Sequence, residues 1–187
     1  GVNQPDFGHL MSGMEFKESQ SLPFEIFCQP KGEGEIAFLL KKDLTGPGIT
    51  TAQVIAATDC VLPAFEIVDS RIENWNIKIQ DTIADNASAG AFVLGSPQRS
   101  IQGINLATCG MVLKKNGEII GTGSGAATLD HPLNAVAWLA NMLGSLGMSL
   151  KAGEVILSGS LSIMCPIQSG DNLEMEIEGI GKTTCQF

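Results

Sequence analysis

Carboxylate side chains in two neighbouring predicted strands are the strongest candidates for chemistry in this sequence. Glu33 and Glu35 lie two residues apart, so on a strand both side chains point to the same face. Glu66 and Asp69 follow in the next predicted strand region, about thirty residues further along. Carboxylates that converge repel one another unless a cation neutralises them, and sets of oxygen ligands suit hard divalent ions. The pattern therefore predicts a site for Mg²⁺ or Mn²⁺.

The alternative for this pair of glutamates is an ordinary solvated strand face. The same spacing recurs at Glu174 and Glu176, where strict alternation with apolar residues indicates a half-exposed strand. The flanking residues distinguish the first pair from the second. Gly32 and Gly34 place no side chains beside the first pair, and residues 36–40 are apolar on both faces. A carboxylate at the head of a doubly buried strand is more typical of a site.

The remaining polar motifs give weaker indications. His131 precedes Pro132 at a predicted helix start, which favours a structural role over a catalytic one. Gly159, between two serines, either lets the backbone approach a ligand or forms an ordinary bulge. The sequence gives no support for a Ser-His-Asp triad, because no serine lies in a G-x-S-x-G motif.

Apolar periodicity predicts the elements that position the glutamates. Residues 34–40 read as a strand, with Glu33, Glu35 and the odd positions on one face. Thr50 or Thr51 caps a short predicted helix over residues 52–58. Residues 61–68 read as a second apolar strand, in which Pro63 indicates an edge or a strand start.

The second half of the chain has a hairpin, a helix and further strands. Asn116-Gly117 is typical of a type I′ hairpin turn. Asp130-His131-Pro132 opens the most periodic helix, with a capping residue before the proline, and Gly147 ends it. Residues 155–157 and 173–178 return to strand patterns. We therefore expect a strand-dominated α+β fold with one prominent helix.

Composition narrows the class of protein. The 187 residues carry a formal net charge of -9 with no basic cluster, which argues against nucleic-acid binding. No apolar run approaches the roughly 20 residues of a membrane span, and no leader is evident. The five cysteines are widely spaced without a C-x-x-C pattern, so we expect reduced thiols in a cytoplasmic protein.

These stretches together resemble a known family. The chain resembles the 2-oxopent-4-enoate (2-hydroxypenta-2,4-dienoate) hydratases of catechol meta-cleavage pathways, within the fumarylacetoacetate hydrolase superfamily. The resemblance runs from Gly1 to Phe187. The motifs that carry it are Gln4-Pro5-Asp6-Phe7-Gly8, Gly32-Glu33-Gly34-Glu35-Ile36-Ala37-Phe38, Phe65-Glu66-Ile67-Val68-Asp69-Ser70-Arg71, Asp81-Thr82-Ile83-Ala84-Asp85-Asn86-Ala87-Ser88, His131-Pro132-Leu133-Asn134 and Leu157-Ser158-Gly159-Ser160. They are more specific for this branch than for one substrate.

The resemblance implies a fold and a set of roles. The fold would be a mixed β-sheet roll, or barrel-like core, of the superfamily's C-terminal type. Glu33, Glu35 and Glu66 would bind the divalent metal, Mg²⁺ or Mn²⁺. Asp6 would handle the proton or position the water, with a plain turn residue as the alternative, and Lys78 would touch the substrate. Four further residues would line the pocket: Asn86, Ser88, Ser158 and Ser160.

The resemblance also leaves alternatives open. The sister enzyme 4-oxalocrotonate decarboxylase shares the metal and the enolate chemistry, although Asp6, Gly32 and Gly34 favour the hydratase. Hydrolysis of an acylpyruvate is a further alternative, and no base for it is evident. The family carries an N-terminal helical region with an active-site lysine, so residues 1–187 are expected to be a single catalytic domain lacking that region. A truncated, non-catalytic metal-binding partner subunit is the non-enzyme alternative. A homo-oligomer and a complex with the decarboxylase are the partners implied.

Overall fold

The computed structural model describes residues 4–18 and 20–187 and consists of two β-sheets with three short to medium helices. The strands are β1 (Glu15–Phe16), β2 (Pro30–Leu40), β3 (Thr58–Asp69), β4 (Ala89–Leu94), β5 (Gly110–Lys115), β6 (Glu118–Ser124), β7 (Val155–Leu157), β8 (Cys165–Pro166), β9 (Asn172–Ile177) and β10 (Gly181–Gln186). The helices are α1 (Thr51–Ala57), α2 (Ile79–Ala84) and α3 (Pro132–Ser145). Single turns of 3₁₀ type occupy Ser12–Met14, Phe24–Ile26, Glu73–Trp75, Asn86–Ser88 and Gly125–Ala127. The strand-dominated α+β prediction is confirmed, and α3 is the prominent helix.

The larger sheet is mixed and is built around β2 and β3. Its strand order is β1-β4-β3-β2-β7, and β8 pairs with β2 beside β7. Only β1 runs parallel to its neighbour among the described strands. The two faces of β2 separate as predicted. Ile36 and Phe38 are fully buried in the main core, whereas Ala37 packs in a smaller cluster on the opposite face.

The smaller sheet is antiparallel, in the order β10-β9-β5-β6, and packs against the larger one. A Cβ atom at Gly34 would lie 2.4 Å from Sδ of Met175, and one at Gly32 would lie 2.6 Å from Cδ1 of Leu173. The two glycines therefore allow β2 to approach the second sheet closely. They face this interface, so their presence beside the glutamates has a packing cause.

The turn and helix boundaries follow local sequence. Asn116 and Gly117 have φ angles of 54° and 85° and join β5 to β6, so the hairpin prediction is confirmed. Thr50 is the cap of α1. His131 caps α3, because its Nδ1 accepts a hydrogen bond from the Leu133 backbone N–H at 3.1 Å. Asp130, the capping residue expected before Pro132, lies one position too early.

Pro63 does not mark a strand edge or start. It lies in the middle of β3, which is paired on both sides. The prediction of an edge or a strand start was therefore wrong. A proline is tolerated at this interior position because β4 pairing begins only at Ala64, opposite Leu94. The Pro63 carbonyl still accepts a hydrogen bond from Gly95 at 2.8 Å, and its missing N–H falls where the ladder has ended.

The described part of the chain has five unpaired thiols, with Cys28 exposed and the other four buried. Burial raises the pKa of the Cys185 thiol to about 12. No helix in residues 4–18 and 20–187 combines the length and the apolar character needed to cross a bilayer.

Candidate metal centre

Strand register brings the three predicted metal ligands together. Glu33 on β2 lies directly opposite Glu66 on β3, and Glu35 follows two residues later on the same face of β2. One carboxylate oxygen from each of the three lies within 4.8 Å of the others. In the described part of the chain, Glu33, Glu35 and Glu66 form the one group of three or more Asp, Glu, His or Cys side chains whose ligand atoms are close enough to share a metal ion. Asp69, also considered from sequence, instead accepts hydrogen bonds from the backbone N–H groups of Cys28 and Gln29.

The glutamates open onto a cavity of about 860 Å³. Glu35 is only 1 % exposed, and Glu33 and Glu66 are half-buried. The segment 4–10, which includes Asp6, forms one wall of the cavity, and helix α3 forms another with Trp138 and Leu139. Asp6 and the three clustered glutamates thus line the same cavity, together with many apolar side chains.

Burial and mutual repulsion raise the pKa values of the three glutamate carboxyls. Burial raises the pKa of Glu33 to about 8, with further contributions from Glu66 and Asp6. Burial likewise raises the pKa of Glu66 to about 7, and nearby Asp6 adds to the shift. The pKa of Glu35 is raised well above its ordinary value, first by burial and then by the Glu66 and Glu33 charges. Three such oxygens fit a divalent cation, since it removes the repulsion that otherwise holds protons on the site.

The segment that follows β7 supports the most buried ligand. The Gly159 N–H donates a hydrogen bond of 2.7 Å to Oε2 of Glu35, at a glycine φ of 107°. The Thr128 hydroxyl donates to the carbonyls of Gly159 at 3.0 Å and Ser160 at 3.2 Å. The Gly159 backbone therefore approaches the carboxylate of a predicted metal ligand, and its approach to a bound ligand stays a prediction.

Ser158 and Ser160 both line the cavity, but their hydroxyls differ. The Ser160 hydroxyl donates to the Ser162 carbonyl at 2.9 Å. The Ser158 residue is 6 % exposed, and its Oγ has no hydrogen-bond partner in the described part of the chain. A buried hydroxyl without a partner is costly, so a bound polar group is the expected partner.

Three predicted site residues lie outside the cavity lining formed by the described residues. Lys78 is exposed at the start of α2, where its backbone N–H donates to Oδ2 of Asp81 at 2.8 Å. Ser88 is buried and its hydroxyl donates to Oδ2 of Asp85 at 3.3 Å. Asn86 binds the backbone of His9. We therefore leave Lys78 and Ser88 out of the proposed site.

Sequence reasoning missed the wall that α3 contributes. Trp138 packs edge-on against Phe7, with ring centroids 6.3 Å apart and an interplanar angle of 67°. Helical periodicity predicts a core-facing side for this helix, and six of its fourteen residues are buried there. The half-buried Trp138 and Leu139 face the cavity instead. The sequence signal that could have predicted this wall is the large aromatic Trp138, next to the apolar positions that repeat at helical spacing.

The raised carboxyl pKa values predict an unusual pH dependence of stability without metal. Between about pH 6.5 and 7.5, folded Glu33, with a pKa of about 8, retains most of a proton that the unfolded chain, with a carboxyl pKa near 4.5, has lost. Raising the pH therefore favours unfolding, by about 1.4 kcal/mol per retained proton per pH unit. The lowered pKa of His131 acts in the opposite direction but involves less than one proton.

Thermal unfolding in EDTA at these two pH values measures the effect. We expect a Tm lower by about 3 °C or more at the higher pH. Added Mg²⁺ is expected to raise the Tm more at the higher pH, where fewer protons compete for the carboxylates. An equal or higher Tm in EDTA at the higher pH would contradict the raised pKa values.

Comparison with known proteins identifies the family. The profile of the fumarylacetoacetate (FAA) hydrolase C-terminal family matches residues 13–187. The chain belongs to the fumarylacetoacetate hydrolase family. The two-sheet core described above is therefore the C-terminal fold of the fumarylacetoacetate hydrolases, as the resemblance implied.

Curated relatives within this family are hydratases. The chain is 53% identical over 188 residues to 2-hydroxyhexa-2,4-dienoate hydratase of Comamonas testosteroni, covering 100% of this chain and 71% of that protein. It is 57% identical over 150 residues to 2-hydroxypent-2,4-dienoate hydratase of Pseudomonas putida, covering 80% and 68%.

A solved structure with high similarity to this chain is that of a decarboxylase. This is 4-oxalocrotonate decarboxylase from Pseudomonas putida G7, complexed with magnesium and adipate, with a TM-score of 0.93 and 37% identity. The match covers 96% of this chain and 68% of that one. A second structure of that enzyme, complexed with calcium and acetate, gives a TM-score of 0.91.

Proposed function

We propose that this protein is a divalent-metal-dependent hydro-lyase. It adds water to 2-hydroxypenta-2,4-dienoate (2-oxopent-4-enoate) to give 4-hydroxy-2-oxopentanoate in catechol meta-cleavage catabolism. The observation that carries the proposal is the cluster of Glu33, Glu35 and Glu66 oxygens, within 4.8 Å of one another, at a cavity that Asp6 also lines. The hydratase names of relatives at 53% and 57% identity support this reaction.

The three glutamates would hold the metal, Mg²⁺ or Mn²⁺. When bound, the cation supplies Lewis-acid stabilisation of the negative charge that develops on the 2-oxygen of the substrate. Glu35 contributes a fixed oxygen, because the Gly159 N–H holds its carboxylate. The magnesium and the dicarboxylate adipate in the decarboxylase structure support a divalent ion and an acidic organic ligand at such a site.

Asp6 is our candidate for proton transfer or for positioning the water. It lies on the cavity wall formed by segment 4–10, and its charge affects the pKa values of Glu33 and Glu66. Loss of the 2-hydroxyl proton and protonation at the terminal carbon convert the dienol into a conjugated enone, to which water adds at the fourth carbon. A carboxyl beside the ligands is suited to deliver that proton, or to orient that water.

Ser158 is proposed to donate a hydrogen bond to a substrate oxygen, because its buried hydroxyl lines the cavity without a partner. We expect Ser158→Ala to raise KM by about tenfold, the equivalent of one lost hydrogen bond. Ser160→Ala is expected to have a smaller effect, since that hydroxyl is already bonded to the Ser162 carbonyl. Steady-state kinetics measure the KM of both variants. An unchanged KM for Ser158→Ala would show that the Ser158 hydroxyl does not bind the substrate.

The proposed function is tested by the loss of the 2-hydroxypenta-2,4-dienoate ultraviolet band. We expect loss of the band with Mg²⁺, no loss after EDTA, and 4-hydroxy-2-oxopentanoate as the product. A parallel assay with Mn²⁺ compares the two ions. Absence of turnover with either metal, despite measured metal binding, would contradict the hydratase proposal.

Decarboxylation of 4-oxalocrotonate is the second candidate, favoured by the TM-score of 0.93 to that decarboxylase. Carbon dioxide release from 4-oxalocrotonate, without hydration of the dienoate, would establish it. The higher identity to hydratases, 53% against 37%, favours hydration. Binding to the decarboxylase, self-association and a cytoplasmic location stay predictions, as does a role as a non-catalytic partner subunit.

A further inference from the structure

Segment 4–10, which places Asp6 on the cavity, lies outside the strands and helices. A catalytic carboxyl on an irregular segment needs a separate means of fixing its position. Within the described residues, the hydrogen bonds recorded for segment 4–10 are both made with the side chain of Asn86.

Asn86 pairs with the backbone of His9 in both directions. The His9 N–H donates to Oδ1 of Asn86 at 2.7 Å, and Nδ2 of Asn86 donates to the His9 carbonyl at 2.9 Å. The side-chain amide thus satisfies both backbone polar groups of one residue, as a neighbouring strand would. These contacts join positions 77 residues apart in the chain.

Packing around the amide holds the segment at the same place. A Cβ atom at Gly8 would lie 2.3 Å from the Asn86 carbonyl oxygen, so glycine is required for this approach. Phe7 packs against Trp138 of α3 on the other side. Residues 7, 8 and 9 are therefore fixed by three separate contacts, immediately after Asp6.

The backbone that presents Asn86 has an uncommon conformation. Asn86, Ala87 and Ser88 have φ angles of 54°, 56° and 57°, three consecutive residues in the left-handed region. Alanine and serine adopt this conformation at a cost, and such strain persists where surrounding structure enforces it, often beside functional sites. A hydrogen bond stabilises the turn, because the Ser88 N–H donates to the Asp85 carbonyl at 2.9 Å.

We propose that Asn86 is a positioning residue whose side-chain amide holds the Asp6-bearing segment across the carboxylate cluster. It acts through the His9 backbone and touches neither metal nor substrate. The inference rests on the proposed role of Asp6. It also assigns a role to the left-handed turn, which aims the amide at segment 4–10.

Asn86→Gly tests the proposal, because glycine accepts the positive φ angle and only the amide is lost. The matched control is Asn74→Gly, at an exposed asparagine with a φ of 56° away from the cavity. We expect amide hydrogen exchange in segment 4–10 to be faster by about tenfold or more in Asn86→Gly. The control is expected to exchange as the wild-type protein does.

Kinetics and metal binding separate positioning from a general structural role. We expect Asn86→Gly to lower kcat by about tenfold to a hundredfold, the range for a misplaced catalytic group. Mg²⁺ affinity measured by calorimetry is expected to stay unchanged. In an Asp6→Asn background, Asn86→Gly is expected to lower kcat little further, because the two residues act as one unit.

Gly8→Ala provides a second variant, which displaces the segment and leaves the Asn86 amide in place. It is expected to show the same faster exchange and lower kcat. Unchanged exchange in Asn86→Gly, or kcat losses that multiply in the double variant, would overturn the proposal. If the wild-type protein turns over no dienoate, the proposed function fails, and the exchange measurement still decides whether Asn86 holds the segment.

Discussion

Glu35→Gln is expected to abolish Mg²⁺ binding while leaving the fold intact. Glu35 is the most buried of the three clustered carboxylates, and the substitution removes one of the negative charges that would neutralise the cation. The amide oxygen of glutamine can still accept the hydrogen bond from Gly159. Calorimetry is expected to show a loss of affinity of more than about a hundredfold. Without metal, the variant is expected to unfold at a higher temperature than the wild-type protein near neutral pH.

Glu174→Gln is the matched control, since it makes the same chemical change in a second E-x-E pattern on β9. Its oxygens are not part of the clustered group. We expect wild-type Mg²⁺ affinity for this variant. Unchanged affinity in Glu35→Gln would refute the metal site.

Asp6→Asn is expected to lower kcat by about 10²–10⁴-fold, the range for removing a general acid or base. Asparagine preserves the shape of the side chain but cannot deliver a proton. Mg²⁺ affinity is expected to change by less than about tenfold, because the Asp6 oxygens lie outside the clustered group. The rate of loss of the dienoate ultraviolet band measures the effect under saturating metal.

Asp59→Asn controls for a change of one carboxylate at an exposed position of β3. It is expected to keep the wild-type kcat. A kcat for Asp6→Asn within about threefold of wild type, below the general-acid range, would leave Asp6 as a turn residue, the alternative that its position after Pro5 suggested.

The features that could be predicted from sequence are those set by local patterns. Period-two alternation around Glu33 and Glu35 predicted a shared face, and the β2 and β3 register places Glu66 opposite Glu33. Asn116-Gly117 predicted its hairpin because few residues tolerate two positive φ angles.

The features that could not be predicted depend on contacts between distant residues. The family resemblance implied that Asn86 lines the pocket, but its amide binds His9 at a separation of 77 residues. No periodicity encodes that contact, and no propensity predicts three consecutive left-handed residues there. Gly32 and Gly34 flank the metal ligands for a packing reason, which requires knowledge of the second sheet.

The clustered carboxylates also determine which variants of this protein a laboratory selection would enrich. A screen for heat resistance alone, run without divalent ions, would enrich neutral replacements at Glu33, Glu35 and Glu66, because each relieves buried repulsion. The enriched variants would resist heat but would lack activity, because each has lost a metal ligand. A useful library must therefore be challenged with the ion present, so that thermal tolerance and turnover are selected through the same three side chains.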